Sequence, residues 1–159
     1  MKITLKDGSG REYAEPRSVL EIAEDISEGL ARNATAGEVN GEVVDLRTIV
    51  SEDCELSILT FQNEAGQGAF RHTASHILAQ AVKRLYPETK LAIGPSVADG
   101  FYYDLDRETP FTAEDLEKIE AEMKKIVKEA LPITSFTKPR EEAIAYFEEK
   151  NEPYKVELI

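Results

Sequence analysis

A chain of 159 residues with a formal net charge of −12, 42% hydrophobic and 31% charged, has the make-up of a globular protein of one or two small domains. No stretch approaches the roughly 18 to 20 apolar residues of a membrane span, and MKITLKDGSG has no apolar run behind a basic end, so neither signal peptide nor anchor nor membrane partner is expected. One cysteine, Cys54, rules out an intramolecular disulfide and fits a reducing, cytoplasmic setting, while the surplus of acids argues against generic polyanion binding.

In chain order, the first sixty residues predict short strands around one helix. Ile3-Thr4-Leu5 alternates, Lys6-Asp7-Gly8-Ser9-Gly10 has turn composition, and Arg11 to Ala14 returns as the second arm of a hairpin that Pro16 ends. Ser18-Val19-Leu20-Glu21 matches a capping box, and Leu20, Ile22, Ala23 and Ile26 recur at helical spacing up to Gly29, read as a stop. Asn40-Gly41 between apolar runs signals a tight hairpin, because both central residues must accept positive φ. Glu55 to Thr60 alternates as a last strand. The order β-β-α-β-β-β predicts a compact grasp-like sheet with a helix across it.

Residues 62–68 are small, polar and unpatterned and read as a linker. Beyond them, Ala69 to Tyr86 predicts a long helix. Residues 90–105 predict two short strands with a loop between them, Thr112 caps an amphipathic helix closed by Pro132, Ile133 to Thr137 reads as a strand, Arg140 to Lys150 as a helix and Tyr154 to Ile159 as a strand.

Both histidines, His72 and His76, lie on the long helix. At 100° per residue from Phe70, the apolar residues Ala74, Ile77, Leu78, Ala81, Val82 and Leu85 centre near about 45°, whereas His72, His76 and Lys83 fall at about 200°, 240° and 220°. Two histidines four apart can converge on a metal, a water or an oxyanion; equally they can be two solvated residues on a polar face. Thr73 stands where a HExxH metalloprotease needs glutamate, so that class is excluded, and the lone cysteine offers no third ligand within this part of the chain.

The blocks Arg71-His72-Thr73-Ala74-Ser75-His76-Ile77-Leu78, Ala92-Ile93-Gly94-Pro95, Gly100-Phe101-Tyr102-Tyr103-Asp104 and Glu152-Pro153-Tyr154-Lys155-Val156-Glu157-Leu158, in that order, resemble the start of the editing domain of bacterial threonyl-tRNA synthetases. Residues 1–61 resemble the TGS domain that precedes it. The resemblance implies an α+β chain: a ubiquitin-like β-grasp at 1–61, a linker at 62–68, and at 69–159 the first part of an α+β editing domain with a long HxxxH helix against a sheet. It further implies a site that hydrolyses the ester of seryl-tRNA made for threonine. One methyl group discriminates by only about 1 to 3 kcal/mol in an apolar pocket, so such a synthetase needs a second site.

By motif position, His72 and His76 would orient or deprotonate a water, Lys155 would stabilise negative charge, and Tyr103 and Gly94 would line the pocket. The family's Asp-x-Cys…His motif, aminoacylation core and anticodon-binding domain lie outside these residues, so the expected chain is incomplete at its C-terminus, with weak or no editing of its own. No cofactor is expected within it; ATP, magnesium and zinc would belong to the catalytic core. The expected partners are the aminoacylated 3′ end of the threonine tRNA and the remainder of the synthetase. Two other readings compete: a non-catalytic tRNA-binding or regulatory β-grasp module, and a small metal-binding protein. The charge divides unevenly, with six basic against fourteen acidic residues in 1–68. Around the histidines, Arg71, Lys83, Arg84 and Lys90 face only Glu88 within residues 69–98.

Overall fold

A computed structural model describes all of residues 1–159. The chain forms two compact units, Met1–Phe70 and Arg71–Ile159.

In the first unit, β1 (Lys2–Leu5), β2 (Gly10–Glu12), β4 (Ala34–Val39), β5 (Glu42–Val44) and β7 (Cys54–Thr60) make one mixed sheet in the order β2-β1-β7-β4-β5. The parallel pair β1–β7 lies at its centre, with Ile3 opposite Cys54 and Leu5 opposite Leu56. A second, two-stranded pair joins β3 (Arg17–Ser18) to β6 (Ile49–Val50). Asn40 and Gly41 both have positive φ, 50° and 84°, as the tight β4–β5 hairpin requires. The Ser18–Glu21 capping box forms: Ser18 Oγ accepts from the Glu21 amide at 3.2 Å, and the Glu21 carboxylate accepts from the Ser18 amide at 2.7 Å.

The helical stretch behind that cap is divided. Helix α1 (Val19–Ile26) stops where Ser27 turns extended, and the Ser27 hydroxyl then accepts from the Leu30 amide at 3.0 Å to start α2 (Glu28–Asn33). Gly29 therefore lies within α2 instead of ending a single helix, because a serine offering its own cap competes with helix continuation. Ile3, Val19, Ile22, Val50 and Leu56 form the core between helix and sheet. The unit is a ubiquitin-like β-grasp.

The stretch expected as a linker is helical from Glu64, where the 22-residue α3 (Glu64–Leu85) begins. Its entry is fixed by tertiary contacts that polar composition does not reveal. Asn63 Oδ1 accepts from the Thr60 amide at 2.9 Å, and Thr35 Oγ1 donates to the Gly66 carbonyl at 2.9 Å. A Cβ on Gly66 would lie 2.0 Å from the Thr60 carbonyl oxygen, so only glycine lets the helix sit on the end of β7.

In the second unit, residues 90–106 fold as one kinked antiparallel hairpin. Its base pairs β8 (Lys90–Leu91) with β11 (Leu105–Asp106), and its tip pairs β9 (Ser96–Val97) with β10 (Gly100–Phe101). Between them, Ala92 donates to the Asp104 carbonyl at 3.0 Å and Asp104 donates to the Ile93 carbonyl at 2.7 Å. Helix α4 (Ala113–Glu129) follows, then α5 (Arg140–Glu149) and α6 (Pro153–Leu158). Ala81 and Val82 of α3 pack on Ile119 and Ile126 of α4, with Leu105 of the hairpin at the edge of that cluster.

Two expected strands are absent. Residues 133–137 follow Pro132 without regular structure, and Ile133 and Phe136 are exposed. Tyr154 to Ile159 belongs to a helix, α6, despite its β-favouring residues. Pro153 occupies the first helical turn, where its fixed φ suits a helix start, and the Glu152 carbonyl accepts from Lys155 and Val156.

Asp115 ties the start of α4 to the end of α3. Its carboxylate accepts from the Thr112 amide at 3.0 Å and from the Tyr86 hydroxyl at 2.7 Å, and Arg107 lies at 3.5 Å with its guanidinium over the Tyr86 ring. The Thr112 amide above all, then the Tyr86 hydroxyl, holds the Asp115 carboxyl down at about 2. Unfolded, that carboxyl has an ordinary value near ~3.9, so its contribution is complete above that pH and lost as pH falls toward 2. Acid titration of stability is expected to show a decline between those values that Asp115→Asn reduces, with unfolding followed by circular dichroism.

Candidate functional site

On α3 the histidine stripe points away from the α4 contact, and both His72 and His76 are exposed residues. Buried Ser75 and Ala79 border the stripe, and Ser75 Oγ donates to the His72 carbonyl at 2.7 Å. The two imidazoles meet edge to face, with their Nε2 atoms 3.0 Å apart. At that separation one Nε2–H donates to the lone pair of the other, so the pair carries one proton between the two nitrogens. A second proton there would place two donors face to face.

Partial burial above all, then the charge of His72 and that of Lys155, push the His76 imidazole below its ordinary value of 6.5. The His76 imidazole is thereby biased toward its neutral form. A water that displaces this direct contact as the rings move apart can donate to one Nε2 and accept from the other, which both orients it and gives its proton somewhere to go.

Lys155 reaches this neighbourhood from α6. Its Nζ donates to the Ala92 carbonyl at 3.0 Å and to the Tyr103 hydroxyl at 3.3 Å, which leaves its third N–H for another acceptor. Tyr103 is half-buried beneath it, whereas Tyr102 is 50% exposed, so the two neighbours on this arm of the hairpin face different surroundings. Gly94 lies flat against the Tyr103 ring: a Cβ there would be 2.4 Å from Cδ2 and 2.5 Å from Cε2. The five sequence-derived residues thus form two groups within one unit. His72 with His76 is one; Lys155, Tyr103 and Gly94 are the other; the Lys155 charge acting on His76 links them. No cluster of three or more His, Cys, Asp or Glu side chains surrounds the pair, and the nearby ammonium repels a cation.

Three further side chains hold this arrangement and escape the sequence reading. The Arg71 guanidinium donates to the Val97 carbonyl at 3.2 Å and to that of Ala98, fastening the hairpin tip beside His72. Lys83, placed by the helical arithmetic on the histidine stripe, is caged by the Pro87 and Thr89 carbonyls, each at 2.9 Å, and by Glu152 Oε1 at 2.7 Å. Glu152 is only 6% exposed, and its other oxygen accepts from the Leu91 amide at 3.0 Å. The one sequence signal for the cage is the position of Lys83 on the histidine face, where a lysine stem can lie against the chain.

A family model described as the TGS domain matches residues 1–60. Over all 159 residues the chain is 66% identical to the threonine-tRNA ligase of Acetivibrio thermocellus, of which it covers 25%. The corresponding values are 62% and 24% for the Clostridium botulinum ligase, and 57% and 25% for that of Clostridioides difficile. The chain spans about a quarter of the length of these relatives. No helix is long and apolar enough to cross a membrane. The chain therefore carries a TGS domain at residues 1–60 and matches, over its whole length, the N-terminal part of the bacterial threonine-tRNA ligases.

Proposed function

We propose that residues 71–159 carry part of a hydrolytic site that clears the seryl ester from tRNA meant for threonine, working with the remainder of a synthetase in the cytoplasm. The observation that carries this reading is the imidazole pair, Nε2 to Nε2 at 3.0 Å, with the charge of Lys155 acting on His76. Ester hydrolysis needs a positioned water, a group of near-neutral pKa to take its proton, and a donor for the oxyanion that forms. His72 and His76 supply the first two. The unpartnered N–H of Lys155, aligned by Ala92 and Tyr103, supplies the third. Gly94 sets the depth of the wall that Tyr103 makes. The acidic first unit, with six basic against fourteen acidic residues in 1–68, makes a poor polyanion surface, so the tRNA end is assigned to the second unit.

The test is single-turnover hydrolysis of seryl-tRNA and threonyl-tRNA, both on the threonine tRNA, by a synthetase that holds these residues together with the rest of its editing domain. Faster loss of the seryl ester than the spontaneous rate, with the threonyl ester spared, is expected. Binding without any turnover of either ester would instead favour a non-catalytic tRNA-binding module.

A further inference from the structure

Lys155 has no direct ion-pair partner, and its stem springs from a six-residue helix, so something else must fix where that helix starts. The start is Glu152. Its carbonyl accepts from the Lys155 amide at 3.1 Å and the Val156 amide at 3.3 Å, and its carboxylate joins two otherwise separate elements, Lys83 of α3 and Leu91 of the hairpin. All three N–H bonds of the Lys83 ammonium are matched, by Pro87, Thr89 and Glu152, and each Glu152 oxygen has its own donor. Such a saturated pair around a buried carboxylate has one low-energy arrangement, and only Pro153 and Tyr154 separate Glu152 from Lys155. We propose that Glu152 is a positioning residue, whose pairing with Lys83 and Leu91 sets Lys155 against Ala92 and Tyr103 and so beside the histidine pair.

The inference rests on the hydrolytic reading for its purpose but not for its test. The chain has only two histidines, so their imidazole proton resonances report the His76 titration directly. Lys155→Met is expected to raise the His76 midpoint by removing a repelling charge. Glu152→Gln is expected to raise it as well. A glutamine has one acceptor oxygen for two donors, Lys83 and Leu91, so α6 loses its anchor and Lys155 moves away. A direct electrostatic effect would go the other way, since losing a negative charge lowers a histidine midpoint. The sign therefore separates positioning from field. In the double variant the midpoint is expected to equal that of Lys155→Met alone.

Should Glu152→Gln fail to keep its native circular dichroism, Glu152→Asp retains the charge but is one methylene short of spanning both donors, and the same rise is expected. A His76 midpoint that stays put or falls in these Glu152 variants while Lys155→Met raises it would overturn the positioning role. So would a further rise in the double variant. Absence of ester hydrolysis by a synthetase holding these residues with the rest of its editing domain would count against the hydrolytic reading and leave these midpoints as they are.

Discussion

Gly66→Ala is expected to lower the stability of the chain by about 2 to 3 kcal/mol, at the upper end of what overpacking costs, while Gly68→Ala two residues on raises it. Both glycines lie within α3, and helix propensity alone would favour alanine at either position by about 0.5 to 1 kcal/mol. The surroundings differ. At Gly66 the added carbon meets the Thr60 carbonyl oxygen at 2.0 Å, its carbon at 2.7 Å and Thr35 Oγ1 at 2.9 Å; at Gly68 it meets nothing within 4 Å. Backbone at the end of β7 cannot swing aside as a long side chain does, because Thr60 is bonded to Asn63 through both its amide and its carbonyl. Relief must therefore come from lifting the helix start, which breaks the bond from Thr35 to the Gly66 carbonyl. Urea unfolding of the two variants checks this, and equal midpoints would show that the entry of α3 is not seated on the sheet.

The same glycine shows where sequence reading stops. Signals carried within four residues were legible: the Asn40-Gly41 turn and the capping boxes at Ser18 and Thr112 need only their own neighbours, and each forms. The opening of α3 was not legible, since NEAGQG is a poor helix by composition and owes its helicity to Thr35 and Asn63 side chains outside or at the edge of it. In α6, β-favouring residues pointed to a strand, and a proline in the first turn together with the buried Glu152 before it, paired with Lys83 of α3, outweighed them. For the site, angular arithmetic placed the two histidines on one stripe, but it could not say whether their rings meet. That depends on rotamers and on Ser75 and Ala79 being covered beside them. Lys155, Tyr103 and Gly94 are brought together from segments about fifty residues apart, a separation that no local pattern encodes and that only the resemblance to a known family pointed to.

His76→Ala is expected to reduce seryl-ester hydrolysis by roughly 10²- to 10⁴-fold, the span that general acid–base groups contribute. His72→Ala should cost a comparable factor, because each imidazole fixes the proton of the other across the 3.0 Å contact. The pH dependence identifies the acting form. A base must be unprotonated, so the rate rises with pH through the His76 midpoint and levels off once it is passed. Burial, His72 and Lys155 all hold that midpoint below 6.5, so the plateau begins on the acid side of where a free imidazole would put it. Lys155→Met acts on both quantities at once. It removes an oxyanion donor, which lowers the plateau, and it removes a repelling charge, which moves the rising limb to higher pH. The moved limb reports only that the Lys155 charge reaches His76, whatever else that lysine does. A plateau that falls in the pH–rate profile of single-turnover ester hydrolysis, while the variant keeps its native circular dichroism, is what separates a lysine facing the reacting ester from one that holds a hairpin to a helix.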